Sequence, residues 1–174
     1  MKTRLLTAAI ALPILIASII LPWWVPDTIW IFVLIAVLAL AAGMFEFFSL
    51  TKKLELKADA GVAYLGAAGL IVLFVLDAPR QDPSLLLIVL VCFLVVVFIT
   101  QTFRFQKDFS KMLAGMGVTV LGVLYVAFLG GFLIATRVGF DSILSTKLLL
   151  FFFVVIFGSD AGQYFVGKAL GKRK

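Results

Sequence analysis

Apolar residues fill this chain in long blocks, and polar ones are confined to short breaks between them. A hydrocarbon core about 30 Å thick is crossed by roughly 20 helical residues rising about 1.5 Å each, and the blocks have that length. They predict six spans, at about Leu5 to Trp23, Thr28 to Leu50, Ala58 to Leu76, Leu85 to Thr100, Met112 to Thr136 and Leu148 to Val166. The connectors, such as TKKLELK, DAPRQDPS, QTFRFQKDFSK and RVGFDSILST, are too short to fold as soluble domains. The predicted fold class is therefore all-α, a polytopic membrane helical bundle forming one integral-membrane region over residues 1–174.

Lysine and arginine set the orientation, because short basic loops stay in the cytoplasm. With the N-terminus inside, the inner flanks hold Lys2, Arg4, Lys52, Lys53, Lys57, Arg104, Lys107, Lys111, Lys168, Lys172, Arg173 and Lys174. The outer flanks hold Arg80, Arg137 and Lys147. Twelve against three predicts both termini in the cytoplasm. The opening MKTRLLTAAIALPILIASIILPWW imitates a secretory signal, but no small-x-small cleavage site precedes a hydrophilic domain, so it reads as a retained span.

Composition removes several chemistries. Of 174 residues 64% are apolar and 14% charged, with mean hydropathy +1.22, too little polar surface to cover a soluble core. The net charge of +6 is scattered between apolar runs rather than gathered on one face, which argues against nucleic acid. There is no histidine, which excludes His-based metal sites and Ser-His or Cys-His catalysis. The single cysteine, Cys92, lies inside an apolar run and reads as lipid-facing or packed filler. Trp23 and Trp24 suit an outer interfacial belt, and QTFRFQKDFSKM suits a short amphipathic turn on the inner surface. Ala63 with Ala67, and Ala127 with Gly131, are spaced for close helix packing in lipid.

Two acids fall within or at the edge of the hydrocarbon, where a carboxylate is costly and usually functional. Glu46, in GMFEFFSL, lies about a turn from the inner end of its span. Both an interfacial ion pair with Lys52 or Lys53 and a supporting role at a site are open to it. Asp160 lies in the inner half of the last span. At 100° per residue it shares a stripe with Gln163, Tyr164, Gly167 and Gly171, with Lys168 and Lys172 at the edge. The plainer reading is a helix end with its ordinary positive cap. The sharper one is a phosphate site, in which two glycines bare the backbone and two lysines four residues apart present paired positive charge. GQYFVGK, residues 162–168, mimics part of a P-loop, yet it follows a bilayer helix and is followed by Ala169 where Ser or Thr would hold magnesium. The D-G-x-x-A-R pattern of CDP-alcohol phosphotransferases is absent.

The segment SDAGQYFVGKALGK resembles the D-[ST]-G-A-Y-x-x-G-[KR]-x-[FL]-G-K element of the phosphatidate cytidylyltransferases, also called CDP-diacylglycerol synthases. Asp160, Gly162, Tyr164, Gly167, Lys168, Gly171 and Lys172 match, and Ala161 and Gln163 depart from it. MKTRLLTA resembles that family's opening, and GMFEFFSL its W-E-F/W-x-x-L element, with Glu46 matching. The family's later S-P-x-K-T loop and its K-R-x-x-x-x-K-D…H-G-G…D-R signature have no counterpart here.

The resemblance implies an N-terminal portion of an inner-membrane bacterial enzyme that joins CTP to phosphatidic acid, releasing pyrophosphate and forming CDP-diacylglycerol for phospholipid synthesis. It implies Asp160 as a catalytic or metal-supporting group, and Lys168, Lys172, Tyr164, Gly167 and Gly171 as substrate-binding. Magnesium is implied too, its main ligands expected in the absent signature, so the chain alone is expected to be inactive. The partners implied are CTP and membrane phosphatidic acid, with no nucleic acid; the reading admits a homodimer. Two other readings remain open: a CTP-dependent lipid-alcohol kinase, and a small non-enzymatic integral protein such as a transporter subunit or assembly partner.

Overall fold

A computed structural model of the chain describes residues 2–53, 56–79, 84–105 and 108–170, with side chains described among these from 11 to 168. Six successive helices account for nearly all of it, as the block pattern predicts. They are α1 (Lys2–Ile20), α2 (Ile29–Lys53), α3 (Ala60–Asp77), α4 (Ser84–Arg104), α5 (Phe109–Gly139) and α6 (Ser142–Leu170). The last five are long and apolar enough to cross a membrane, and α1 runs on through a 3₁₀ turn, Leu21–Trp23. The chain is an integral-membrane bundle.

Start and stop signals explain the boundaries. Asp59 caps α3 by accepting from the Val62 N–H at 3.2 Å, and Asp108 caps α5 by accepting from the Lys111 N–H at 3.1 Å. Lys52 and Lys53 close α2, where positive charge complements the carbonyl end of the helix. Pro22 and Pro26 start the two 3₁₀ turns of the α1–α2 connector.

The core joins α2, α3, α4 and α5. Met44 and Phe48 of α2, Ala63, Ala67, Leu70 and Phe74 of α3, Phe93 and Val97 of α4, and Val123 and Ala127 of α5 form one buried cluster. The small-residue pairs serve packing, as expected: Ala63, Ala67, Ala127 and Gly131 are all buried. A Cβ on Gly131 would stand 2.5 Å from the Phe74 ring, so the missing side chain is what lets α5 lie against α3. Ile19, Phe32 and Leu149 form a smaller cluster that docks α1 and α6 onto α2.

Three features depart from the sequence reading. Among the described residues QTFRFQKDFSKM does not appear as one surface turn: Gln101 to Arg104 are the last turn of α4, Gln101 is fully buried, Phe109 already starts α5, and Gln106 and Lys107 lie outside the described residues. Arg137 belongs to α5 rather than to an exposed outer flank, and is 0% exposed. The connector RVGFDSILST shrinks to two residues, Phe140 and Asp141, because Asp141 accepts from the N–H groups of Ile143 and Leu144 and starts α6 early. In addition, Val123–Phe128 in the middle of α5 is π-helical. Such widened turns recur at sites where a helix is reshaped for packing or function.

Candidate functional site

The sequence-derived site lies on the distal half of α6. That helix packs through its first half only. Ser145, Thr146 and Leu149 are buried and Phe153 is half-buried, but every residue from Val154 to Lys168 is exposed. Nothing stands within 4 Å of where a Cβ would lie on Gly158, Gly162 or Gly167. Asp160, Tyr164, Gly167 and Lys168 thus occupy one face of a helix end that no other described element covers. Gln163 Nε2 donates to Ser159 Oγ at 3.2 Å, a bond along the helix that leaves Asp160 and Tyr164 unobstructed. Lys172 and Gly171 lie outside the described residues.

Glu46 is not gathered to this group by any described contact. It is exposed on α2, and among the described residues no ion pair joins it to Lys52 or Lys53. Both acids nonetheless belong to the same end of the bundle, because α2 and α6 run in the same direction. Phe32 and Leu149 share one cluster near the starts of these helices, and Glu46 and Asp160 lie 14 and 11 residues beyond them.

The same end carries a second polar group that the sequence reading missed. Asp59 N–H donates to Thr119 Oγ1 at 2.9 Å, and Thr119 Oγ1 donates to the Gly115 carbonyl at 2.7 Å. Arg104 Nη1 stands 3.9 Å from Asp59 Oδ2. Gln101 lies against Gly115 with both amide atoms buried and, among the described residues, unpartnered. Beside this group Leu56, Lys57, Ser110, Lys111 and Ala114 line a recess of about 100 Å³. Lys111 is already engaged there: its Nζ is 2.7 Å from Asp108 Oδ2, and this hydrogen bond holds the Asp108 carboxyl below the usual aspartate range. Alternating apolar periodicity gives no warning that Gln101 turns inward; its only signal is a polar residue within helical register of Phe93 and Val97.

Magnesium is not fitted by these residues alone. Among the described residues no group of three or more acids or cysteines converges, and Asp160 offers a single carboxylate.

The family model described as "Cytidylyltransferase family" matches residues 2–174, so it spans all six helices and the polar ending. The chain belongs to the cytidylyltransferase family. Its chemistry is accordingly that of a nucleotidyltransferase using CTP, set in a membrane bundle. No curated protein and no solved structure matched the chain. Within a cytidylyltransferase, an exposed stripe of acid, tyrosine, glycine and lysine at a helix end is suited to phosphate groups, since lysine supplies positive charge and glycine admits the oxygens to the backbone.

Proposed function

We propose that this cytidylyltransferase-family protein acts on phosphatidic acid, joining it to the cytidylyl group of CTP to give CDP-diacylglycerol and pyrophosphate. The observation that carries this reading is the free face of α6. Asp160, Tyr164, Gly167 and Lys168 stand together where the helix leaves the bundle, with no other described element against them. Both substrates are polyanions, one soluble and one embedded in a leaflet. A polar helix end emerging from an apolar bundle is open to both.

In the proposed division of labour Lys168 neutralises phosphate oxygens, with Lys172 four residues on in sequence and Gly167 placing no side chain against the ligand. Tyr164 offers a hydroxyl. Asp160 orients a basic partner. Glu46, at the same end of α2, supports the site's electrostatics. The lysine bias at this end supports placing it in the cytoplasm, and the enzyme in a bacterial inner membrane.

The test uses the chain in vesicles containing phosphatidic acid. CTP labelled at the α-phosphorus should bind saturably, and any label entering the lipid fraction should be in CDP-diacylglycerol. Lys168→Ala and Asp160→Asn should each weaken binding. Label from the γ-position in the lipid would mark a kinase instead. Absence of any CTP binding, or binding indifferent to both substitutions, would remove the site assignment.

A further inference from the structure

Between α1 and α6 runs an apolar crevice of about 390 Å³. Its α1 wall is Leu12, Leu15, Ile16 and Ile19; its α6 wall is Leu150, Phe153, Val154, Phe157 and Gly158. A second recess of about 190 Å³, between α1, α2 and α5, shares Leu15 and Phe153 with it, so the two meet at those side chains. The larger volume is in the range of small-molecule sites, which begins near about 300 Å³.

The shape follows from how the helices part. Ile19 and Leu149 hold α1 and α6 together at one end. From Val154 to Lys168 the α6 residues are exposed, so along this stretch the helices no longer close on each other. On each wall the bulky residues recur at helical spacing, forming two ridges with a slot between them. Apart from Gly158, neither wall carries the small residues that favour close backbone approach between helices in lipid.

We propose that this slot binds one acyl chain of a diacyl phospholipid, with the headgroup at the Gly158 end. The inference rests on the reading of α6 given above, and deepens it by saying where the lipid's tail goes. Direction argues for it. Leu150 and Gly158 are eight residues apart, a rise of about 12 Å, which approaches the depth of one hydrocarbon leaflet. Gly158 ends the slot and Asp160 follows two residues later, so the apolar lining gives way to the polar face where a lipid changes from chain to headgroup. A Cβ on Gly158 would have no described atom within 4 Å.

Photolabelling tests this. Phosphatidic acid with a diazirine midway along one acyl chain, in vesicles of phosphatidylcholine, should label Leu12, Ile16, Phe153 or Phe157 several-fold above Val91 and Val95. Those two exposed residues of α4 serve as a plain lipid-facing surface. Filling the slot with Leu12→Trp and Val154→Trp, both at exposed positions, should return labelling to the α4 level while the thermal transition stays in place. Labelling spread evenly over α4 and the slot, or unchanged by the two tryptophans, would overturn the proposal. A phosphatidylcholine probe that labels the slot as strongly as the phosphatidic acid probe would sustain it and instead remove the headgroup preference assigned to α6.

Discussion

Arg137 and Thr146 meet inside the bundle, where the guanidinium Nη1 donates to the threonine hydroxyl at 3.0 Å and that hydroxyl donates onward to the Ile19 carbonyl at 3.1 Å. Arg137 Nη1 also donates to Ser145 Oγ at 3.1 Å, while Nε and Nη2 are buried without partners. One hydroxyl therefore links α5, α6 and α1, and holds the end from which the α1–α6 slot opens. Thr146→Val keeps the shape but strands both the carbonyl and one guanidinium bond. It should lower stability by about 1–3 kcal/mol, as an unsatisfied buried group does. Thr146→Ser, which keeps the hydroxyl, should recover most of that loss. Equal melting of the two variants in detergent would show that the link is not holding the helices.

Gly115 and Gly117 give opposite expectations two residues apart on α5. A Cβ on Gly115 would lie 2.8 Å from the Lys57 carbonyl and 2.6 Å from Gln101 Oε1, and backbone cannot step aside cheaply. Gly117 has nothing within 4 Å. Gly115→Ala should therefore destabilise by about 1–3 kcal/mol through overpacking. Gly117→Ala should be neutral or gain up to about 1 kcal/mol of helix propensity. Thermal unfolding of the pair checks the sign difference directly.

How far the sequence carries is visible in these residues. The six helices follow from block length, and their ends from Asp59, Asp108 and the lysines closing α2, because hydrophobicity and capping are local properties. The candidate face of α6 follows from 100° spacing, and the structure leaves that face open as an exposed helix end. Sequence alone places Arg137 and Gln101 at the surface, since a charged or amide residue near a span end ordinarily faces the interface. Their burial depends on partners far away in sequence. Thr146 receives Arg137 only because α6 folds back on α5, and Gln101 turns inward beside Gly115, where a side chain is missing. The π-helical stretch of α5 is equally non-local: it lies next to Gly122, which packs under Phe47 and Phe48 of α2.

Gln101 invites a substitution that removes polarity. Its amide is fully buried with neither atom paired, and an unsatisfied buried group costs about 1–3 kcal/mol. Gln101→Met, of similar length, should leave stability unchanged or raise it. Gln101→Glu should lower it, because a carboxylate there would be charged and unpaired. Loss of stability in the methionine variant would mean that the amide has a partner in the membrane.

The first turn of α5 should respond to acid. Asp108 accepts from the Lys111 N–H and ammonium, and these bonds depress its folded-state pKa below the ordinary 3.8. A depressed carboxylate contributes stability that is present above its unfolded value and is lost as pH falls through the folded one. Protection of the Lys111 amide should therefore be flat from neutral pH down to about 4 and fall below it. Asp108→Ala should show the low protection at every pH, and hydrogen exchange at that amide measures both. The group is exposed, so the effect is local and the global transition should not move.

Asp160, Tyr164 and Lys168 should be separable from folding altogether. Each is exposed on a part of α6 that touches no other described element, and among the described residues no hydrogen bond or ion pair holds any of them to the bundle. Surface changes away from packed features usually stay within about 0.5 kcal/mol. Asp160→Asn, Tyr164→Phe and Lys168→Ala should accordingly melt with the parent chain, and so should Glu46→Gln, whose parent residue is equally exposed on α2. Retained stability with weakened CTP binding in the three α6 variants would assign their side chains to the ligand. If instead they destabilise the chain by several kcal/mol, this face of α6 is packed in the membrane against something of its own, and a role in folding would account for the polar stripe.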